Sequence, residues 1–275
     1  MKNVHLVIID PQIDFCCPTT GKLYVKGAEG DMQRLANMID RLGGKLNDIH
    51  VTLDSHQPVH IAHPVFWKDR NGKNPPPFTM ITAKDVDNGV WTPAQPSLFK
   101  WGLNYVRTLE KNGRYPLCIW PPHCLIGTVG QTVFPCLSDA LGRWCDSNFG
   151  YIDYVTKGSN ILTEHYSAIQ ADVPDPNDPT TQINVNFLNT VNQADLVLIA
   201  GEASSHCVAN TVRDACNYFS DDSLVKKLVY LKDASSRVAH PIPDVDAIFA
   251  GMEADFIKEM KGRGMKEDTT VDILR

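Results

Sequence analysis

The sequence lacks several features that would place it in a specialised class. It has no apolar run long enough to span a bilayer, no internal repeat and no low-complexity tract. Basic residues are not in excess, since 26 lysines and arginines stand against 32 acidic residues and give a net charge of −6. We therefore expect no nucleic acid and no membrane as a partner. The 275 residues are enough for a sizeable globular core.

Cysteine is present at eight positions, but a chain of this length does not need disulfides to fold. The apolar run that follows Met1 is too short for a secretory signal. We therefore expect a reducing, cytoplasmic location. Cys16 and Cys17 are expected to be packed side chains, with sensitivity to oxidation as the alternative.

Short apolar runs alternate with helix-like stretches along the chain. This alternation predicts an α/β fold with a doubly wound, mostly parallel sheet flanked by helices. The charged segment from Lys261 to Asp268 is expected to be solvated. Strands are expected at 4–9, 49–53, 152–156, 195–200 and 228–232, and helices at about 31–42, 128–143, 181–192, 205–219 and 243–261.

The motifs described below are spread over the whole chain, which favours a single domain, 1–275. Within it, the segment 64–119 looks like an elaborated insertion, because it holds a proline-rich stretch, 74–77, and then an amphipathic helix between Ser97 and Asn112. The loop before that helix has three alternative interpretations: a lid, an oligomer contact or a surface elaboration. A homo-oligomer is therefore left open.

Cys207 follows the apolar run 196–200 directly, within the segment Gly201–Val208. A thiol at such a strand-to-helix turn lies near unpaired backbone N–H groups, which favour the thiolate and can hold an oxyanion. The alternative is a cysteine that packs as a small hydrophobe. Asp10 and Lys157 also end strand-like runs. A carboxylate base, a cation and a thiol at neighbouring strand ends are the parts of a cysteine hydrolase.

A metal site is indicated by Asp54 and His56, which follow the strand-like run 49–53, together with His123 far downstream. Residues two apart on an extended segment project to the same face. One carboxylate and two imidazoles suit zinc, iron or manganese and leave positions for water or substrate. The alternatives are a turn-capping Asp54 and histidines that are simply packed or solvated.

With these motifs, the chain resembles the nicotinamidase branch of the isochorismatase-like cysteine hydrolases. The matching segments occur in the order of that family and span residues 7 to 208. They are Asp10-Pro11-Gln12-Ile13-Asp14-Phe15, Asp54-x-His56-x-x-x-His60, Trp120-Pro121-Pro122-His123-Cys124, Lys157-Gly158 with Tyr166-Ser167-Ala168, and Ala203-x-x-x-Cys207-Val208.

The resemblance implies a role for each matching residue. Asp10, Lys157 and Cys207 would form a catalytic triad, with the backbone N–H groups of Ala203 and Cys207 as the oxyanion hole. Phe15, Trp120 and Tyr166 would line the substrate pocket, and Asp54, His56 and His123 would bind one divalent metal ion, with Zn2+ favoured over Fe2+ or Mn2+. A cis peptide between Glu202 and Ala203 is also implied.

Several residues depart from the family pattern. Glu202 stands where many members have an apolar residue, so it is expected to reach the site or to pair with a base. Ser205 replaces a frequent acidic residue and is expected to cap the Cys207 helix. His60 and His63 are both open as a further metal ligand.

The sequence thus predicts a metal-dependent cysteine amidohydrolase, with nicotinamide as the expected substrate and nicotinate and ammonia as products. One alternative is the same chemistry on a different small amide. The other is a metal-binding module of the same fold that has lost turnover.

Overall fold

The computed structural model describes residues 2–112, 115–219, 221–240 and 242–275. Its strands are β1 (Val4–Ile9), β2 (Asp48–Asp54), β3 (Trp67–Lys68), β4 (Met80–Ile81), β5 (Thr92–Pro93), β6 (Leu117–Cys118), β7 (Ile152–Lys157), β8 (Leu196–Gly201), β9 (Leu228–Leu231) and β10 (Lys266–Asp268). Its α-helices are α1 (Ile13–Cys16), α2 (Ala28–Leu42), α3 (Ala83–Asp87), α4 (Phe99–Asn112), α5 (Pro135–Asn148), α6 (Val185–Asn192), α7 (Ala209–Tyr218) and α8 (Pro243–Arg263).

The centre of the fold is a parallel sheet, which within the described residues has six strands in the order β10-β9-β8-β1-β2-β7. Every residue of β1 is buried, as expected for a central strand covered on both faces. Leu6 and Ile8 pack into one core, which also holds apolar residues of α2 and α5. Val7 and Ile9 pack into a second core with residues of α6, α7 and α8. The predicted doubly wound α/β fold is confirmed.

One predicted helix begins later than expected, and one short strand was not predicted. The helix expected at 128–143 begins only at Pro135, since Val129–Gln131 forms a separate 3-10 turn. Proline favours the first position of a helix, where its fixed φ fits and its missing N–H costs nothing. The tail expected to be solvated contains β10, in which Glu267 pairs with Tyr230 of β9. Three residues are too few for an alternating pattern to show in the sequence.

The segment 64–119 contains α3, α4 and two short antiparallel ladders, β3 with β5 and β4 with β6. Trp67, Tyr105 and Leu109 are buried in the core on the α2 side of the sheet. That this segment is an insertion in a single domain stays a prediction. No helix in the described part of the chain is long and apolar enough to cross a membrane.

Candidate active site

The predicted site residues meet at the carboxyl edge of the sheet, where β1 lies between β8 and β2. Strand β1 is followed by β2 on one side and β8 by β9 on the other. In open α/β sheets such a switch point forms a ligand crevice. Asp10 follows β1, Asp54 ends β2, Lys157 ends β7, and Cys207 follows β8 by six residues. In the sheet register Asp54 pairs with Lys157.

Asp10, Lys157 and Cys207 are brought together in the structure. Lys157 Nζ lies 2.8 Å from Asp10 Oδ2 and 3.7 Å from Cys207 Sγ. Asp10 has no exposed surface, and its other oxygen accepts a 2.5 Å hydrogen bond from the Thr52 hydroxyl. Its backbone has a positive φ of 44°, a conformation that aspartate tolerates better than most residues. The carboxylate is therefore held in one orientation, beside both the cation and the thiol.

Burial determines the protonation of these groups. It raises the pKa of Asp10, although the Lys157 ammonium opposes the change. It also raises the pKa of the Cys207 thiol well above its usual range, with Lys157 again opposing and the charges of Asp10 and Asp54 adding to the rise. Burial would lower the pKa of Lys157, but Asp10 and Asp54 outweigh it and raise that pKa. Burial thus outweighs the Lys157 ammonium, and the resting thiol keeps its proton.

Asp54, His56 and His123 are also brought together. Asp54 Oδ2 lies 2.8 Å from His56 Nε2 and 3.3 Å from His123 Nε2. Burial opposes the charge on Asp54, but the His56 and Lys157 cations hold the pKa of its carboxyl well below the usual range. The second oxygen, Oδ1, is 3.2 Å from Lys157 Nζ. Asp54 therefore joins the triad to the cluster of histidines.

The ring nitrogens show which histidines have a free lone pair. Nδ1 of His56, His63 and His123 contacts a backbone carbonyl at 3.1, 3.2 and 2.8 Å. A carbonyl only accepts, so each Nδ1 must donate and each Nε2 of a neutral ring is left as an acceptor. Among the described residues, Nε2 of His63 is buried without a hydrogen bond, whereas Nε2 of His56 faces Asp54 Oδ2 at 2.8 Å. His60 differs, because its Nε2 donates to Thr163 O and its Nδ1 accepts from Ala62 N–H.

The pocket beside Cys207 is lined by Phe15, Trp120 and Tyr166. Trp120 Nε1 donates to the Tyr166 hydroxyl at 2.9 Å, which fixes both rings. Asp54, His123, Ala203 and Cys207 also line the pocket. Sequence reasoning missed Leu23, Val25, Glu164, His206 and Val238, which complete the lining.

Among these missed residues, Glu164 contributes an ionisable carboxyl group to the pocket. Its Oε1 lies 4.0 Å from His56 Nε2 and accepts a 2.8 Å hydrogen bond from His165 N–H. Burial raises the pKa of this carboxyl. Its place seven residues after Lys157 was the available signal, but an isolated acid in a loop gives no spacing pattern that points to a ligand.

The segment 10–15 also positions other residues of the site. Gln12 holds the backbone of Asp54 by two hydrogen bonds of 2.7 Å, one to its carbonyl and one from its N–H. Asp14 Oδ2 accepts the N–H of Cys124 at 2.7 Å, next to His123. Gly158 has a φ of 85°, and a Cβ there would lie 2.8 Å from Asp54 Oδ1. Only glycine fits that position without displacing the cluster.

We call the segment from Gly201 to Cys207 the nucleophile loop. One expectation for this loop is confirmed and two were wrong. The predicted cis peptide joins Glu202 to Ala203. Ser205 caps no helix; its hydroxyl lies 2.8 Å from His206 Nδ1 and accepts the Val238 N–H. Glu202 does not line the pocket and does not pair with a base; it accepts the Ser236 N–H and faces Asp31.

Comparison with known proteins gives no match to a protein-family model and none to a curated protein sequence. Solved structures do match. A nicotinamidase and pyrazinamidase from Acinetobacter baumanii superposes with a TM-score of 0.63 at 21% identity, over 100% of this chain and 99% of that one. The chain has the nicotinamidase fold.

Two further structures with the nicotinamidase fold match over nearly their full length. The yeast nicotinamidase bound to the inhibitor nicotinaldehyde gives a TM-score of 0.61 at 20% identity, covering 96% of this chain and 100% of that one. The Pyrococcus horikoshii pyrazinamidase in complex with zinc gives 0.54 at 19% identity, covering 97% and 99%. A fold shared at such low identity does not by itself fix an activity.

Proposed function

We propose that this protein is a cysteine amidohydrolase that converts nicotinamide to nicotinate and ammonia. The observation that carries the proposal is the Lys157 ammonium, 2.8 Å from Asp10 and 3.7 Å from the Cys207 thiol, at the wall of an aromatic pocket. A buried carboxylate and a buried thiol that contact one cation are an arrangement that can support acyl transfer through a cysteine.

The first half of the reaction forms the acyl-enzyme. Asp10 accepts the proton of the Cys207 thiol as the sulfur attacks the amide carbon, because burial keeps the resting thiol protonated and both groups contact the same Lys157 ammonium. The backbone N–H groups of Ala203 and Cys207 stabilise the negative charge that develops on the carbonyl oxygen. Asp10 then gives its proton to the departing nitrogen. Ammonia leaves and a thioester to Cys207 remains.

The second half regenerates the thiol. Asp10 is again a carboxylate after ammonia has left, so it takes a proton from an attacking water. The same two N–H groups hold the second oxyanion. The carbon–sulfur bond breaks, Cys207 recovers a proton from Asp10, and nicotinate is released. Lys157 stays charged throughout and limits the cost of a buried negative charge on Asp10 or on the sulfur.

The donor set fits a divalent metal ion. Asp54 supplies a carboxylate, while His56, His63 and His123 supply Nε2 atoms whose opposite nitrogens are fixed by backbone carbonyls, an arrangement typical of metal-binding histidines. His63 is the better additional ligand than His60, since both nitrogens of His60 are already hydrogen-bonded. We propose zinc, which suits mixed nitrogen and oxygen ligands and is present in the Pyrococcus pyrazinamidase structure. A bound divalent ion supplies Lewis acidity and acidifies water.

The pocket supports nicotinamide as the substrate. Phe15, Trp120 and Tyr166 offer ring faces and edges to a flat heteroaromatic ring. The nicotinaldehyde bound to the yeast enzyme has the same pyridine ring as nicotinamide, with an aldehyde group in place of the amide group.

The experiment is ammonia release from nicotinamide by purified protein whose metal content is measured. Picolinamide, isonicotinamide and benzamide serve as a panel that moves or removes the ring nitrogen. We expect turnover of nicotinamide with about one metal ion per chain and weaker turnover of benzamide. Protein that binds metal but does not hydrolyse nicotinamide would contradict the proposed substrate. Failure to hydrolyse any of the amides would contradict the proposed reaction.

A further inference from the structure

Two buried carboxyl groups lie outside the pocket, behind the start of the nucleophile loop. Glu202 has no exposed surface and Asp31, on α2, is 3% exposed. Ser236 bridges them, because its N–H donates to Glu202 Oε2 at 3.0 Å and its hydroxyl donates to Asp31 Oδ2 at 2.6 Å. The loop, α2 and the segment that follows β9 therefore meet at this pair of acids.

The two acids differ in the partners that surround them. Arg34 donates to Asp31 Oδ1 at 2.5 Å, so Asp31 has a cation to balance its charge. Among the described residues, Glu202 Oε1 is buried without a hydrogen-bond partner. A buried carboxylate with an unpaired oxygen is costly, whereas a carboxylic acid in the same place has a proton to donate.

The charges around the pair favour the neutral acid. Burial raises the pKa of Glu202 well above its usual range and Asp31 raises it further, while the Ser236 N–H and, to a smaller extent, Arg34 oppose the rise. The Cys16 thiol and Glu29 stand on the α1 and α2 side of the pair. Glu253 of α8, which accepts the Ser204 hydroxyl, adds no positive charge.

We propose that Glu202 is a positioning residue, a neutral acid that donates its proton to Asp31, accepts the Ser236 N–H and so clamps the nucleophile loop to α2. The inference rests on the proposed function, since the clamped peptide leads directly to the N–H groups of Ala203 and Cys207. Those donors act mainly in the transition state. Loosening them should therefore lower kcat with little change in KM.

The test compares the wild type with E202Q and E202L. Glutamine keeps one donor and one acceptor without the charge, whereas leucine keeps the approximate volume and removes both. We expect an infrared carboxylic-acid signal at neutral pH that is absent from E202Q. Amide hydrogen exchange across 201–208 should be at least about tenfold faster in E202L, and close to wild type in E202Q.

The second readout is steady-state kinetics. The kcat is expressed per reactive Cys207 thiol, and the amount of that thiol is determined by alkylation. In E202L we expect kcat to fall about 10- to 100-fold, with KM within about threefold, and E202Q to stay near wild type. High pH should loosen the loop in the wild type but not in E202Q, because ionised Glu202 repels Asp31.

Absence of the acid signal from the wild type would overturn the inference, as would loop exchange in E202L equal to wild type. A lower melting temperature in E202L with kcat per thiol unchanged would also overturn it. If E202L does not fold, the infrared and high-pH comparison of wild type with E202Q decides. If the wild type hydrolyses no amide, the proposed function fails, while the infrared and exchange results still test the clamp.

Discussion

Replacing Lys157 with methionine tests whether the buried charges are interdependent. The Lys157 side chain is 1% exposed and contacts two buried carboxylates, at 2.8 Å from Asp10 and 3.2 Å from Asp54. Asp54 keeps His56 as a partner, but Asp10 loses the cation that balances it. Removal of one member of a buried ion pair costs about 3–5 kcal/mol, because the other charge stays buried. We expect K157M to lose that much free energy of unfolding and to be inactive.

The assay is urea unfolding of the metal-free protein at neutral pH, followed by the fluorescence of its five tryptophans. The double variant D10N/K157M leaves no unpaired charge at Asp10, so it should recover about 1–3 kcal/mol relative to K157M. K261M makes the same change in a half-exposed pair with Glu267 and should cost less than about 1 kcal/mol. A K157M cost no larger than that of K261M, or a double variant no more stable than K157M, would refute the reasoning.

Two further predictions concern histidines. H63N should weaken zinc binding at least about tenfold more than H60N, as measured by chelator competition. The reason is that His63 Nε2 has no hydrogen bond among the described residues, whereas both nitrogens of His60 are hydrogen-bonded. A larger effect of H60N would contradict this assignment. Burial lowers the pKa of His206 to about 3, so the unfolded chain takes up a proton first as the pH falls below about 6.5. Stability from the neutral ring is therefore complete above that pH and is lost toward pH 3, at about 1.4 kcal/mol per pH unit. H206F lacks this contribution, and equal pH dependence of unfolding in H206F and wild type would refute it.

Much of the fold could be predicted because its strands are short, apolar and bounded by turns. The run 4–9 coincides with β1, since its residues other than His5 are apolar, as is typical of a central parallel strand. Prediction failed where a proline moved a helix start to Pro135 and where β10 is only three residues long. Both depend on local chemistry or pairing partners that a periodic pattern does not carry.

The candidate site was predictable where the residue type itself carries the chemistry. Asp10, Asp54, Lys157 and Cys207 each end or follow a strand, so the parallel sheet brings them to one edge. Glu164, by contrast, lies in a loop whose path depends on the packing of Tyr105, whose hydroxyl accepts the Glu164 N–H. The choice between two spaced histidines also needed their hydrogen bonds, which only the folded backbone defines.

The most direct test of the account is the dependence of nicotinamide hydrolysis on Cys207. Ammonia release is measured for the wild type, C207A and C216A, each with its metal content determined. Cys216 is a matched control, since it is also a buried free cysteine but does not line the pocket. The account predicts that C207A binds metal and releases no ammonia above background, while C216A stays within about threefold of the wild type. Hydrolysis of nicotinamide by metal-loaded C207A at a rate near that of C216A would contradict it.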